Sequence, residues 1–490
     1  MSIDIVLINV PGTNGKMPLL APAMLKASII KNGFSCKTID FNIRFKNEYF
    51  QHQDYANLDT FFLTEYLDPK LKPTVDCMID TWADEILEYD PQYIGISVFT
   101  YQSRAAAEIF SRVLKQKRPN IKIILGGQGI SQGGINGVSS FPLKLQQEGI
   151  IDYFIKSEGE LSLIELLKNN FSYPGINSNT FQQIKNLDEL PYPDYDDYDF
   201  SQYEIKYLTI IASRGCVRKC TFCDIHEHWK YNFRRGSLVV DEMISQSQKY
   251  KINEFVFADS LVNGSLKEFK IFLKKLADYN NKVDKKLTWR GQYIVRDSIS
   301  EGEDHWNLMA QSGCKELWVG IEHGSERIRT HMGKKFKNSD IDYLVQQLEK
   351  HDIKAKFLMI VGYPMETQDD FQETLNLIER YKNLAGTIIK SFEISDTLSI
   401  LPGTPLFNNA NHWNIVIDDK FENNWICIDN PDLTLDERIN RVKIASQLTI
   451  DLGYNEKTDA HDLLGWLTDN IDKLNNRLKA KRMIKLKKIE

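Results

Sequence analysis

Short apolar runs alternate with helical patterns along this 490-residue chain, and they do so in two separate blocks. Such alternation leaves few solutions, because successive strands joined by helices become parallel βαβ units. In the first block the strand-like runs are Ile5–Val10, Cys36–Phe41, Tyr93–Phe99, Ile121–Leu125 and Tyr153–Lys156. Helical spacing falls between them at Ala21–Asn32 and Ser103–Lys117, and after them at Glu160–Lys168. Five units of this kind predict a doubly wound, Rossmann-like sheet over 1–185, with ligands at the carboxyl ends of its strands. The second block predicts strands at 207–212, 254–258, 287–290, 316–321, 355–361 and 391–396. Helical stretches separate them at Val240–Lys249, Leu266–Tyr279 and Ile341–His351. Six strand–helix repeats over 205–402 fit a partial (β/α)6 barrel, where chemistry sits at the C-terminal strand ends.

Between the blocks, residues 186–204 lose all periodicity and read as an acidic, Pro- and Tyr-rich linker. Residues 403–490 carry helical patterns without clear strands. Their last 18 residues, Lys473–Glu490, hold eight Lys or Arg, which reads first as a solvated basic helix and second as a contact to an acidic partner or a phosphate backbone. The net charge of −6 argues against wholesale attraction to nucleic acid. No run approaches the roughly 18 apolar residues of a membrane span. The N-terminus lacks a basic leader, and seven sparse cysteines are not a disulfide framework, so the expected compartment is the cytoplasm.

Three of those cysteines fall within eight residues, in Ser213-Arg-Gly-Cys216-Val-Arg-Lys-Cys220-Thr-Phe-Cys223, just after the first barrel strand. Three thiolates in one loop can hold three corners of a cubane iron–sulfur cluster and leave its fourth iron open. Thiolates also suit zinc, with His226, His228 or Cys314 as a fourth ligand. Cys36, Cys77 and Cys427 read as bystanders.

The C-x3-C-x2-C spacing, with an aromatic residue before the last cysteine, resembles the signature of radical S-adenosylmethionine (SAM) enzymes. Further segments match that family in order: Phe255–Ser260, Trp289–Gly291, Trp318–Ser325 with His323 where Ser is usual, and Leu358–Thr367 with Met365 where Gly is common. The resemblance, over about 205–400, implies a [4Fe–4S] cluster on Cys216, Cys220 and Cys223. It implies that SAM is cleaved there to a 5′-deoxyadenosyl radical. Phe222 would back the adenine, and Asp259 or Ser260 would lie near the methionine end. Glu322 and Ser325 would lie near the ribose or carboxylate, Gly362 would let the backbone approach the adenine, and Arg290 offers a fork for a carboxylate. No catalytic side chain is assigned.

The first block is similar to the cobalamin-binding domain of B12-dependent radical SAM proteins, on Asn9–Pro11, Leu20–Leu25, Ser97–Thr100, Gly126–Gly127, Lys156–Glu160 and the Pro191–Asp199 segment. The contacts this implies are Pro11, Val98, Phe99, Thr100, Gly126, Gly127, Glu158 and Gly159. The D-x-H-x-x-G motif that supplies a lower histidine ligand in many cobalamin proteins is absent, and no G-x-G-x-x-G follows the first strand. A degenerate sheet that no longer binds cobalamin is the alternative.

Taken together, the resemblances imply a cobalamin-dependent methyltransferase acting on an unactivated carbon or a phosphorus of an unidentified small molecule or peptide. Methylcobalamin would deliver the methyl group, and the two sets of strand ends would face each other across the substrate. A reductase or flavodoxin-type protein would supply electrons. The alternatives are radical cyclisation or rearrangement without methyl transfer, a non-catalytic metal-binding protein, and modification of RNA or a peptide, the last suggested only by the basic tail.

Overall fold

A computed structural model describes residues 2–12, 15–49, 70–130, 140–156, 158–394, 397–418 and 423–454. The basic tail, Lys473–Glu490, lies outside the described residues. The chain divides into two compact units, 1–209 with 248–252, and 210–247 with 253–490.

The first unit is built on five parallel strands: β1 (Ile3–Asn9), β2 (Cys36–Asp40), β3 (Pro91–Ser97), β4 (Lys122–Gly126) and β5 (Tyr153–Ile155). Their order is β2-β1-β3-β4-β5. In that order the chain reverses direction across the sheet between β1 and β3, which is where ligands bind in open α/β folds. Alternation along β1 explains why both faces are covered. Val6, Ile8 and Val10 pack with Phe41, Trp82 and Phe110 from one set of helices. Ile5 and Leu7 face the other way, toward Ile29, Leu163 and Leu166 from the helices Leu20–Lys31 and Gly159–Leu167. Each fully buried side chain of this size contributes about 1.5–3 kcal/mol.

Two helices of this unit, Phe41–Tyr49 and Lys72–Glu88, fall where the sequence analysis placed no element. The segment expected as a linker is packed on this same unit. Lys26 is buried against Asp194 (3.1 Å) and Asp197 (2.7 Å), and Tyr203 donates to Asp40 at 2.7 Å. Its acidic and tyrosyl residues are hydrogen-bonding partners for the sheet edge, which is why they show no periodicity of their own.

In the second block β6 (Leu208–Ile210) stands at the unit boundary, and β7 (Ser213–Arg214) with β8 (Asn232–Phe233) closes a small ribbon around the cysteine loop. Five longer strands follow: β9 (Glu254–Phe257), β10 (Thr288–Tyr293), β11 (Cys314–Glu322), β12 (Lys354–Met359) and β13 (Ile389–Glu393). The sheet order, β13-β12-β11-β10-β9-β6, follows the chain and is open between β13 and β6. Trp289 and Tyr293 of β10 pack their rings on Phe269 of the helix Leu266–Asn280, which starts at an N-cap made by Ser265. The intervening Arg290 and Gln292 therefore point to the opposite face of the sheet.

After the sheet comes a C-terminal part dominated by the helix Leu435–Asp451. The expectation of no strands there needs correction. β14 (Ile415–Ile417) and β15 (Trp425–Cys427) form an antiparallel pair. Three-residue strands are too short to carry a readable alternation. Among the described residues no helix is long and apolar enough to cross a membrane.

Candidate active site

In the second unit Cys216, Cys220 and Cys223 lie on the loop between β7 and the short helix Ile225–His228, and all three are free thiols. The loop is fixed at both ends. At its entry Asp259, just past β9, accepts hydrogen bonds from Ala212 N (3.0 Å) and Ser213 Oγ (2.6 Å). Behind that entry Arg234 forms a fully buried ion pair with Glu242 and donates to Ile211 O at 2.9 Å. Gly215, at φ +77°, lets the chain turn where a Cβ would come within 3.0 Å of the Lys230 carbonyl. At the far side Thr221 N donates to Met332 O, Leu406 N donates to Thr221 O, and the Thr221 and Tyr363 hydroxyls meet at 2.9 Å. Burial pushes the Cys223 thiol up to about 11 and raises Cys220 as well. Among the described residues no three His, Cys, Asp or Glu side chains converge on a point that would hold a single ion. Three thiols on one restrained loop suit a cluster, which takes each sulfur at a different corner.

The expected SAM contacts end up in three kinds of place. Phe222, Glu322, Ser325 and Gly362 gather near the cysteine loop. Lys334 links the first two: its Nζ lies 2.7 Å from Glu322 Oε1, 3.2 Å from Gly320 O and 5.8 Å from the centre of the Phe222 ring. Burial pulls the Lys334 ammonium down, but the charges of Glu322 and Cys220 outweigh it and keep the group above its ordinary range. Glu322 ends β11 at φ +66°, and the register shifts between Gly320 and Glu322. A non-glycine residue held there is strained, and such strain persists only where neighbours enforce it. Here Ile360 N grips the Glu322 carbonyl at 2.6 Å. Ser325 is buried and donates to Asp370 at 2.7 Å. Gly362 sits at φ +79° after β12.

Asp259 and Ser260 follow β9, but the Asp259 carboxylate is engaged with Ala212 and Ser213. Burial pushes it up to about 7. Arg290 lies within β10, level with Val256 and Glu316, and pairs with Glu254 at 3.4 Å. It is not grouped with the residues around Lys334. His226 belongs to the short helix after the loop. The side chain of His228 lies outside the described residues, and Cys314 is buried at the start of β11. Lys334 was missed because one lysine of a Gly-Lys-Lys run carries no signal until the fold brings it to Glu322.

In the first unit a cavity of about 160 Å³ opens among β1, β3, β4, β5 and the two helices of one face. Leu7, Pro22, Leu25, Gly95, Ile124 and Leu163 line its apolar wall, and Ser97 and Glu160 are at its polar end. Of the residues expected to meet cobalamin, Gly126, Gly127 and Gly159 line it. A Cβ on Gly126 would meet only the Ile155 carbonyl, at 3.9 Å, and would otherwise project into open space. A Cβ on Gly127 (φ +105°) would strike the Val98 carbonyl at 2.4 Å. Val98 is turned into the core, and Glu158 accepts from Ile184 N at 2.6 Å. Thr100 donates to Gly12 O beside Pro11, and Phe99 is half exposed. The slot is apolar and opens at the strand ends of a Rossmann-like sheet, where such folds take ligands, and its volume suits part of a cofactor rather than a whole macrocycle.

Comparison with known proteins agrees with this geometry. Residues 210–378 match the Radical SAM superfamily. This stretch is a radical SAM domain. An uncharacterized methyltransferase of Pyrococcus horikoshii is 23% identical over 318 residues, covering 60% of this chain and 65% of the relative. The anaerobic magnesium-protoporphyrin IX monomethyl ester cyclase of Rubrivivax gelatinosus is 23% identical over 329 residues, covering 62% of this chain and 57% of the relative. The chain thus spans less than two thirds of either relative. Among solved structures, the radical SAM methyltransferase TsrM of Kitasatospora setae, with cobalamin and a [4Fe–4S] cluster bound, is similar over 85% of this chain and 77% of that one. Its TM-score is 0.63 at 16% identity, which establishes a shared fold, a Rossmann-like sheet followed by a radical SAM sheet.

Proposed function

We propose that this radical SAM enzyme is cobalamin-dependent and methylates an unactivated carbon or a phosphorus atom of a small molecule or peptide. The observation that carries the proposal is one chain holding both a restrained three-thiol loop and an apolar, glycine-edged cavity at the switch point of a Rossmann-like sheet. When bound, a reduced cluster with SAM supplies a 5′-deoxyadenosyl radical, and cobalamin supplies a methyl group. The chain's own residues do the remaining work. Cys216, Cys220 and Cys223 hold the cluster, and Asp259 with Arg234 fixes the base of their loop. Lys334 and Glu322 present a charged pair beside it, where the carboxylate and amine of an amino acid have complementary partners. Gly362 lets the turn after β12 adopt φ +79° beneath the Arg438 stem. Gly126 leaves room at the end of β4 for part of a bound cobalamin.

Cyclisation without methyl transfer is the second reading, favoured by the likeness to a cyclase. An external one-electron donor and an anaerobic cytoplasm complete the proposal. The test uses anaerobically reconstituted protein with hydroxocobalamin, SAM and a strong reductant, in which iron, cobalt and 5′-deoxyadenosine are measured together. About four irons, bound cobalt and deoxyadenosine are expected. Deoxyadenosine without cobalt would remove the methyl-transfer reading and leave the radical enzyme, and zinc in place of iron would remove both.

A further inference from the structure

The C-terminal helix lies beyond the residues that match the superfamily, yet it is built into the turn after β12. Glu366 is the hub. It is completely buried, and its Oε2 accepts from Gly362 N (2.6 Å), Tyr363 N (3.1 Å) and His323 Nε2 (3.1 Å). Its Oε1 accepts from Arg441 at 2.9 Å. Ser325 N donates to His323 Nδ1 at 3.0 Å, so that nitrogen is an acceptor and the ring proton sits on Nε2, aimed at Glu366. His323, which stands where the family pattern has Ser, therefore joins the end of β11 to the turn after β12.

Two further residues of the C-terminal part close on the same turn. Asn430 donates to Pro364 O (3.2 Å) and Glu366 O (2.8 Å). Arg438 lays its stem across Gly362, where a Cβ would come within 2.8 Å of Arg438 Cγ, and rests its guanidinium 3.6 Å from the centre of the Trp425 ring. Arg441 also donates to the Thr367 carbonyl and to Gln368 Oε1. A buried carboxylate keeps its charge only while donors surround it, and Glu366 is held below its usual range although burial pushes the other way. Without the guanidinium, the carboxylate that grips the Gly362 and Tyr363 amides loses its counter-charge.

We infer that Arg441 is a positioning residue for SAM: acting through Glu366, it fixes the Gly362–Tyr363 backbone against which the adenine lies. This rests on the radical SAM reading of the barrel. The C-terminal part thus completes the nucleoside end of a site whose cluster end is made by the shared domain.

The test is SAM affinity by equilibrium dialysis on anaerobically reconstituted full-length wild type, Arg441→Met and Arg441→Lys, with iron content measured on the same samples. Arg441→Met is expected to weaken SAM binding about 10- to 100-fold, the size of effect that loss of an outer support has at metal sites, while iron content stays at the wild-type value. Arg441→Lys is expected to recover part of the affinity, keeping the cation but not the fork that spans Glu366 and Gln368. Iron-loaded Arg441→Met that binds SAM as wild type does would overturn the inference. Should that variant fail to fold, Arg441→Lys decides, with unchanged affinity overturning it and a several-fold loss supporting it. Iron-loaded wild type that binds no SAM would instead overturn the radical SAM reading on which the inference stands.

Discussion

The cysteine loop of the second unit and the strand ends of the first are both candidate cofactor sites, but they are built from opposite materials. The loop is specified by side chains: three thiols, a buried Asp259 and a buried Arg234–Glu242 pair that holds its base. The cavity in the first unit is specified by what is missing. Gly126 withholds a side chain where β4 ends, and Leu7, Leu25 and Leu163 supply an apolar wall. A site made of donor atoms declares its ligand chemistry. A site made of space declares only a shape, and the ligand class has to come from elsewhere.

The largest effect is expected where the donors are fewest. Cys220→Ala leaves two thiols for a cluster that needs three, so iron content and 5′-deoxyadenosine formation should both fall to background. Retention of iron at the wild-type level would show that the loop is not the site. The pair next to the loop should come second. Lys334→Met leaves Glu322 buried, strained and without its cation, which is expected to cost about 3–5 kcal/mol in a denaturant titration. Adding Glu322→Gln should restore part of that, because the uncompensated charge is then gone. A single variant as stable as wild type would mean that water already screens the pair.

Substitution at the first site should act on a different scale and with a different readout. Gly126→Leu pushes a side chain into the cavity at a position whose backbone tolerates one. Overfilling costs about 1–3 kcal/mol, so bound cobalt should drop about tenfold, while iron and deoxyadenosine stay near wild type. Equal loss of cobalt and iron would dissolve the distinction between the two sites. Unchanged cobalt would place the corrin elsewhere.

The same contrast explains what could be read from the sequence. Strand positions in both sheets fall within a few residues of expectation, because the first sheet's strands are near-continuous apolar runs and strands such as β10 and β12 alternate buried and half-buried residues. The cysteine spacing is local and survives as text. The helices Phe41–Tyr49 and Lys72–Glu88 were not placed, and the β14–β15 pair was too short to show. The contacts that finish the barrel site are illegible for a different reason. Lys334 with Glu322 are 12 residues apart and Arg441 with Glu366 are 75 apart. Neither charge is distinguishable from a surface charge until the fold removes water around it.

Asp259 sharpens the comparison last, since the sequence resemblance turns it toward SAM while its hydrogen bonds tie it to the loop's entry. A carboxyl whose folded value lies near 7, against an ordinary 3.8, holds its proton in the native state after the unfolded chain has released it. Over that interval the unfolded state binds fewer protons, so stability falls as pH rises, and above about 7 the penalty is constant. Asp259→Asn can still accept from Ala212 N through its amide oxygen and donate to the Ser213 hydroxyl through its NH2, but cannot ionise. The stability difference between wild type and this variant, measured by denaturant titration of the metal-free protein, should be flat below pH 4, open against wild type between about pH 4 and 7, and then hold steady. A difference independent of pH would mean that Asp259 ionises as it does in water. In that case its carboxylate would be open to a ligand, and the base of the cysteine loop would depend on Arg234 instead.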